Sequence, residues 1–157
     1  MSQRQRMRVL FVCTGNTCRS PIAEGLLRRA VEAAGRGDIE VGSAGTGAWE
    51  GAPASEGSYL VSLEQGIDLS GHRARLLSPE LISQADLVLT MSRGHLGRVR
   101  ELGGGGRAHL LAEYAAEGVA DDIFDPFGGD LDDYRATFRA LEPLVARVAE
   151  RILESGR

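Results

Sequence analysis

Cys13, five intervening residues, Arg19 and Ser20, in the stretch CTGNTCRS from residue 13 to residue 20, are residue types spaced for one kind of chemistry. A loop this short, wrapping toward a helix start, can aim successive backbone N–H groups at a single tetrahedral oxyanion such as phosphate. Arg19 adds a planar guanidinium that holds two oxygens at once. The same positive surroundings favour a thiolate at Cys13. Ser20 can donate to that sulfur while capping the helix that follows. A thiolate held beneath a phosphoryl group is set for in-line attack. The ordinary alternative is a buried strand cysteine near a surface arginine, and it leaves the coincidence of Cys, Arg and Ser at this spacing unexplained.

Other chemistries fit worse. Cys13 and Cys18 are the only cysteines, with four residues between them and no second ligand pair. His72, His95 and His109 are scattered, without zinc-site spacing, so no metal is expected. A thioredoxin-type pair needs two intervening residues. A nucleotide loop of the Gly-Lys-Ser/Thr kind needs a lysine, and all eighteen basic residues here are arginines. No cofactor is expected.

The elements around the loop suit the chemistry. Residues 8–13, RVLFVC, read as a strand buried on both faces. From Ser20 onward, Ile22, Ala23, Leu26, Leu27, Ala30, Val31 and Ala34 recur at helical spacing. Ser20 is the expected N-cap and Pro21 the expected first helical residue. Residues 39–45 read as a second strand, 54–66 as a helix, 79–84 as a short helix and 85–91 as a strong strand. A helix over 93–102 and a weak strand over 107–112 follow. Residues 117–130 are dense in Gly, Pro and Asp and read as loop. Leu131, Tyr134, Phe138, Leu141, Val145, Val148 and Ile152 form the stripe of a long final helix, which Pro143 is expected to kink.

Alternating strands and helices predict one α/β domain over residues 1–157, with residues 1–7 a flexible tail and a parallel sheet at its centre. In such sheets ligands bind where strand C-termini meet helix N-termini, and the Cys13 loop lies at such a junction. A net charge of −4 argues against a general nucleic-acid surface. No apolar run is long enough to span a membrane and no signal-peptide core follows the basic start, so the expected location is the cytoplasm.

The segments VCTGNTCRSPIAEGLL, SAGT, GHRAR, ADLVLTM and DPFGGD, in this order along nearly the whole chain, resemble the low-molecular-weight protein phosphatase family. That resemblance implies a four-stranded parallel twisted sheet flanked by helices in three layers, of the flavodoxin-like kind. It also implies metal-free hydrolysis of phosphorylated protein side chains through a phosphocysteine. Asp125, in DPFGG, matches the family's general acid. Spacing alone does not separate it from Asp121, Asp122 and Asp130, which read equally as turn residues. Asn16, Ser43 and His72 match positions of a hydrogen-bond network bracing the loop. Thr14, Gly15, Asn16, Thr17, Cys18 and Ser20 would line the substrate site. Cys18 either packs beneath the loop or forms a reversible disulfide with Cys13, as family precedent suggests.

For the substrate side chain, Thr17 and the single aromatic after Asp-Pro, Phe127, resemble the protein-arginine phosphatase branch rather than the tyrosine-specific members. Asp121, Asp122 and Asp130 could also attract a guanidinium. Trp49 falls where tyrosine-specific members place an aromatic wall, although an aromatic face also stacks on a guanidinium. Phosphoarginine is the expected substrate, with phosphotyrosine as the alternative. A thioredoxin-coupled arsenate reductase would need further cysteines after residue 18, and a non-catalytic phosphate-sensing module would need neither Cys13 nor Asp125.

Overall fold

A computed structural model describes residues 6–115 and 122–155. Strand β1 (Met7–Cys13) is central, paired in parallel with β2 (Ile39–Gly45) on one side and β3 (Leu87–Thr90) on the other. Strand β4 (Ala108–Leu110) extends the sheet beyond β3, giving the order β2-β1-β3-β4. The chain leaves β1 toward β2 and later returns to the opposite side of β1. That reversal opens a crevice at the C-terminal end of β1, where Cys13 pairs with Gly45.

Alternation along β1 builds two cores. Val9, Phe11 and Cys13 face α1 (Arg19–Ala33) and α6 (Leu131–Ser155). Leu10 and Val12 face α3 (Pro79–Gln84) and α4 (Arg93–Glu101). The architecture is therefore three layers, helices over both faces of a parallel sheet, as the family resemblance implies. Phe11, Ile22 and Leu141 are wholly buried, each contributing roughly 1.5–3 kcal/mol. The apolar stripe of α6 is buried from Tyr134 to Ile152, and the helix continues through Pro143. The short helices α2 (Glu56–Glu64) and α5 (Leu111–Ala115) complete the helical layers.

Two local expectations change. Helix α1 begins at Arg19 without a side-chain cap, so Ser20 is not its N-cap and Pro21 is the third helical residue. The Ser20 hydroxyl is held by Cys13 and Asn16 instead, which leaves it unavailable to its own backbone. Met7 is already in β1, and Arg6 pairs with Glu40, so the expected tail of residues 1–7 shrinks by these two. Of the expected loop over 117–130, residues 122–130 are non-helical and 117–121 lie outside the described residues.

Candidate active site

Residues 14–18 link the end of β1 to α1, and the carbonyls of Thr14, Asn16, Thr17 and Cys18, with that of Cys13 before them, are tied from outside. Cys13 O accepts from Thr46 N and Thr14 O from Gly47 N, both at 2.9 Å. Thr17 O accepts from Ser55 N at 2.9 Å, Cys18 O from the Ser58 hydroxyl at 3.0 Å, and Asn16 O pairs with His72 Nε2 at 2.6 Å. Among the described residues, none of the backbone N–H groups of Thr14 to Cys18 donates to a protein acceptor. Carbonyls held outward leave N–H groups inward, the arrangement an oxyanion needs.

Asn16 holds this shape. It is fully buried with φ +58°, the left-handed region that a non-glycine residue adopts at a cost. Its Nδ2 donates to Ser20 Oγ and Ser43 Oγ, each at 2.8 Å, and its Oδ1 accepts from Arg75 N at 2.8 Å. The Ser43 hydroxyl in turn donates to Glu24 at 2.5 Å. Asn16, Ser43 and His72 thus meet around the loop, with Glu24 and Arg75 as members that sequence reasoning missed. Both lie in stretches that read as ordinary helix and connection. Gly45 is equally necessary: a Cβ there would sit 2.3 Å from Thr14 O and 2.8 Å from Asn16 N. Only a residue without a side chain lets the loop cross the end of β2.

Cys13 Sγ is buried, 2.9 Å from Ser20 Oγ. Because Asn16 Nδ2 occupies a lone pair of that oxygen, the Ser20 proton is free to point at the sulfur. Arg19 is 5% exposed; its Nη1 donates to Ile123 O at 3.0 Å and its Nη2 to Thr14 Oγ1 at 3.4 Å. Arg19 Nε is buried with no hydrogen-bond partner among the described residues. A buried, unpaired guanidinium N–H is costly, and a bound oxyanion would satisfy it.

Asp125 stands across the cavity, half-exposed, with Oδ2 3.5 Å from Arg19 Nη2 and Oδ1 accepting from Phe127 N at 3.1 Å. Neighbouring acids are committed elsewhere. Asp122 accepts from Arg93 N at the start of α4, and Asp130 exchanges bonds with Asp133 at the start of α6. Asp121 lies outside the described residues. Of Asp122, Asp125 and Asp130, Asp125 is the one in contact with Arg19.

A cavity of about 220 Å³ is lined by Cys13, Thr14, Gly15, Thr17, Cys18, Arg19, Asp125 and Phe127. Phe127 is 78% exposed at its mouth. Trp49, at the position where tyrosine-specific members place an aromatic wall, is 85% exposed and is not among the residues lining the cavity. Larger hollows of about 420 and 510 Å³ open beside β2, and neither is lined by a cysteine. Cys18 packs beneath the loop as a free thiol, 3.4 Å from Ser55 Oγ and 3.6 Å from the Tyr134 hydroxyl. Burial first, then this contact with Cys18, raises the Tyr134 hydroxyl above its ordinary value. Among the described residues no group of three or more His, Cys, Asp or Glu converges as a metal site. Sequence reasoning also passed over His95, whose Nε2 lies 2.9 Å from Thr14 Oγ1. Burial, then Arg19, lowers it to about 4 against the opposing pull of Asp122 and Asp125.

A parallel α/β sheet with a cysteine-centred anion loop at its switch point defines the class: phosphatases built on a C-x5-R-S loop. The model of the family described as low molecular weight phosphotyrosine protein phosphatase matches residues 8–156. A protein-arginine-phosphatase from Geobacillus stearothermophilus is 42% identical, over 92% of this chain and 95% of its own. A low molecular weight protein-tyrosine-phosphatase from Streptomyces coelicolor is 38% identical, with the same coverage of both chains. Among solved structures, a mutant of the YwlE arginine phosphatase with a phosphorylated active-site serine in place of cysteine superposes with a TM-score of 0.86. It is 36% identical and covers 94% of this chain and 97% of that one. The chain belongs to the low-molecular-weight protein phosphatase family.

Proposed function

We propose that the protein removes phosphate from phosphorylated protein side chains in two steps, with phosphoarginine as its substrate. The observation that carries the two-step reading is Cys13 Sγ at the base of a loop whose N–H groups and Arg19 Nε have no partner among the described residues. Phosphate enters with its oxygens on those donors, and the Cys13 thiolate, hydrogen-bonded by Ser20, attacks phosphorus from below. The P–N or P–O bond opposite breaks while Asp125 gives its proton to the leaving nitrogen or oxygen. Asp125 then takes a proton from water, whose oxygen attacks phosphorus; the P–S bond breaks and inorganic phosphate leaves. No metal or cofactor enters either step. A cytoplasmic setting is part of the proposal, supported by two cysteines held as free thiols.

Phosphoarginine is favoured by Thr17 in the cavity wall, where tyrosine-specific members carry an aliphatic residue. It is favoured also by Phe127 as the one aromatic residue among those lining the cavity. The relative from Geobacillus stearothermophilus named for arginine dephosphorylation points the same way. Phosphotyrosine is the second reading, supported by relatives named for it. The test is kcat/KM on matched phosphoarginine and phosphotyrosine peptides, for the wild type and Thr17→Ile. A preference for phosphoarginine that shifts toward phosphotyrosine in the variant is expected. An unchanged ratio would remove Thr17 from the selection.

A further inference from the structure

Thr14 follows the nucleophile, lines the cavity, and has two nitrogen neighbours at its hydroxyl: His95 Nε2 at 2.9 Å and Arg19 Nη2 at 3.4 Å. His95 stands in the first turn of α4, 7% exposed, with its Nδ1 2.9 Å from Ser92 Oγ. Ser92 is the N-cap of that helix, and its Oγ already accepts from His95 N at 3.3 Å.

Counting donors gives this chain a direction. Were Nδ1 to carry the imidazole proton, Ser92 Oγ would receive two donors, and its own proton would meet no acceptor among the described residues. With Nδ1 bare, Ser92 donates to it and every group is paired. The proton then resides on Nε2, which donates to Thr14 Oγ1. Arg19 Nη2 donates to the same oxygen, filling both of its lone pairs. The Thr14 proton is left to point away from His95 and Arg19, into the cavity above Cys13. Burial and the Arg19 charge keep the imidazole neutral until pH falls to about 4, although Asp122 and Asp125 pull the other way. Nδ1 therefore stays available as an acceptor through the neutral range.

We propose that Thr14 is a side-chain donor to the bound phosphoryl group, with its hydroxyl aimed by the Ser92–His95 pair, which makes Ser92 and His95 positioning residues. This deepens the phosphoryl-binding reading of the loop and rests on it. The loop's N–H groups and Arg19 bind the oxyanion from below and one side. Thr14 adds a donor from the α4 side that loop geometry alone does not supply.

The test is the affinity for inorganic phosphate, measured calorimetrically near neutral pH. Thr14→Val should weaken binding about tenfold, the size expected for one hydrogen bond to a charged acceptor. Thr14→Ser should bring it back to within about twofold, since the hydroxyl returns in the same place. His95→Phe should weaken binding in the wild-type background and have no further effect in Thr14→Val, because it acts through that hydroxyl. Imidazole nitrogen NMR of the wild type should show His95 protonated at Nε2 and bare at Nδ1. Should His95→Phe fail to fold, the Thr14 pair and the NMR spectrum decide. Unchanged phosphate affinity in Thr14→Val, or a proton on Nδ1, overturns the proposal. An Arg19→Ala control separates the two levels. If it abolishes phosphate binding while Thr14→Val does not, only the Thr14 donor is lost. If it too leaves binding intact, the phosphoryl-binding reading itself falls.

Discussion

Replacing Asn16 by alanine should disable the site with only a partial loss of stability, and the size of each part follows from its bonds. Asn16 is fully buried and makes three side-chain hydrogen bonds, to Ser20, Ser43 and the Arg75 N–H. At about 1 kcal/mol net for each, their loss costs about 3 kcal/mol. Holding alanine at φ +58° adds roughly 1 kcal/mol. If the loop keeps its shape, the variant is therefore about 4 kcal/mol less stable. If the loop relaxes, stability recovers in part but the N–H groups leave their common focus, and a displacement of about 1 Å is enough for a loss of the order of 100-fold in rate. Relaxation of the loop should therefore lower kcat/KM on p-nitrophenyl phosphate by about two orders of magnitude. Asn16→Gly separates the terms, because glycine accepts the backbone angle freely and should be about 1 kcal/mol more stable than alanine in urea titrations. An Asn16→Ala variant with near-native kcat/KM and stability would refute the idea that this side chain braces the loop.

Gly45→Ala should inactivate as severely, because the new methyl would overlap Thr14 O and Asn16 N, backbone atoms that move only with the loop; retained kcat/KM on p-nitrophenyl phosphate would contradict that packing. Asp125→Asn should slow phosphate esters with poor leaving groups far more than those with good ones, since only the former need the proton. Equal slowing across a leaving-group series would remove Asp125 from the acid role. Lowering the pH from about 6.5 to about 4 should destabilise the fold through His95, whose value falls from 6.5 to about 4 on folding. In that window the unfolded chain binds more protons than the folded one, so stability rises with pH and is lost as pH falls, by roughly 3 kcal/mol in full. Urea titrations of wild type and His95→Phe across this range check it; parallel curves would exclude His95 as the source.

What could be read from the sequence were features carried by short-range pattern. The strand over 39–45 and the helix over 79–84 lie within single elements, and Cys13, Arg19 and Ser20 are separated by one short loop, where periodicity and loop length speak directly. What escaped depends on chain segments far apart in sequence. His95 reaches Thr14 because β3 pairs beside β1, carrying the start of α4 to the mouth of the loop. The approach of Asp125 to Arg19, far earlier in the chain, is equally invisible to local pattern. Ser20 shows the limit of local rules: its type and position suit a helix cap, yet Cys13 and Asn16 compete for the same hydroxyl and win. The need for glycine at position 45 likewise arises from a crossing of two backbones that no single segment displays.

The central claim is covalent chemistry at Cys13, and trapping the intermediate tests it most directly. Asp125→Asn, deprived of the base for the second step, should accumulate phosphoenzyme when mixed with p-nitrophenyl phosphate and quenched within milliseconds. Intact mass and peptide mapping should then place one phosphoryl group on Cys13, with none on Cys18 and none in the Cys13→Ser, Asp125→Asn double variant's cysteine. Continued turnover by an enzyme that never carries phosphate on Cys13, or by Cys13→Ala, would contradict it.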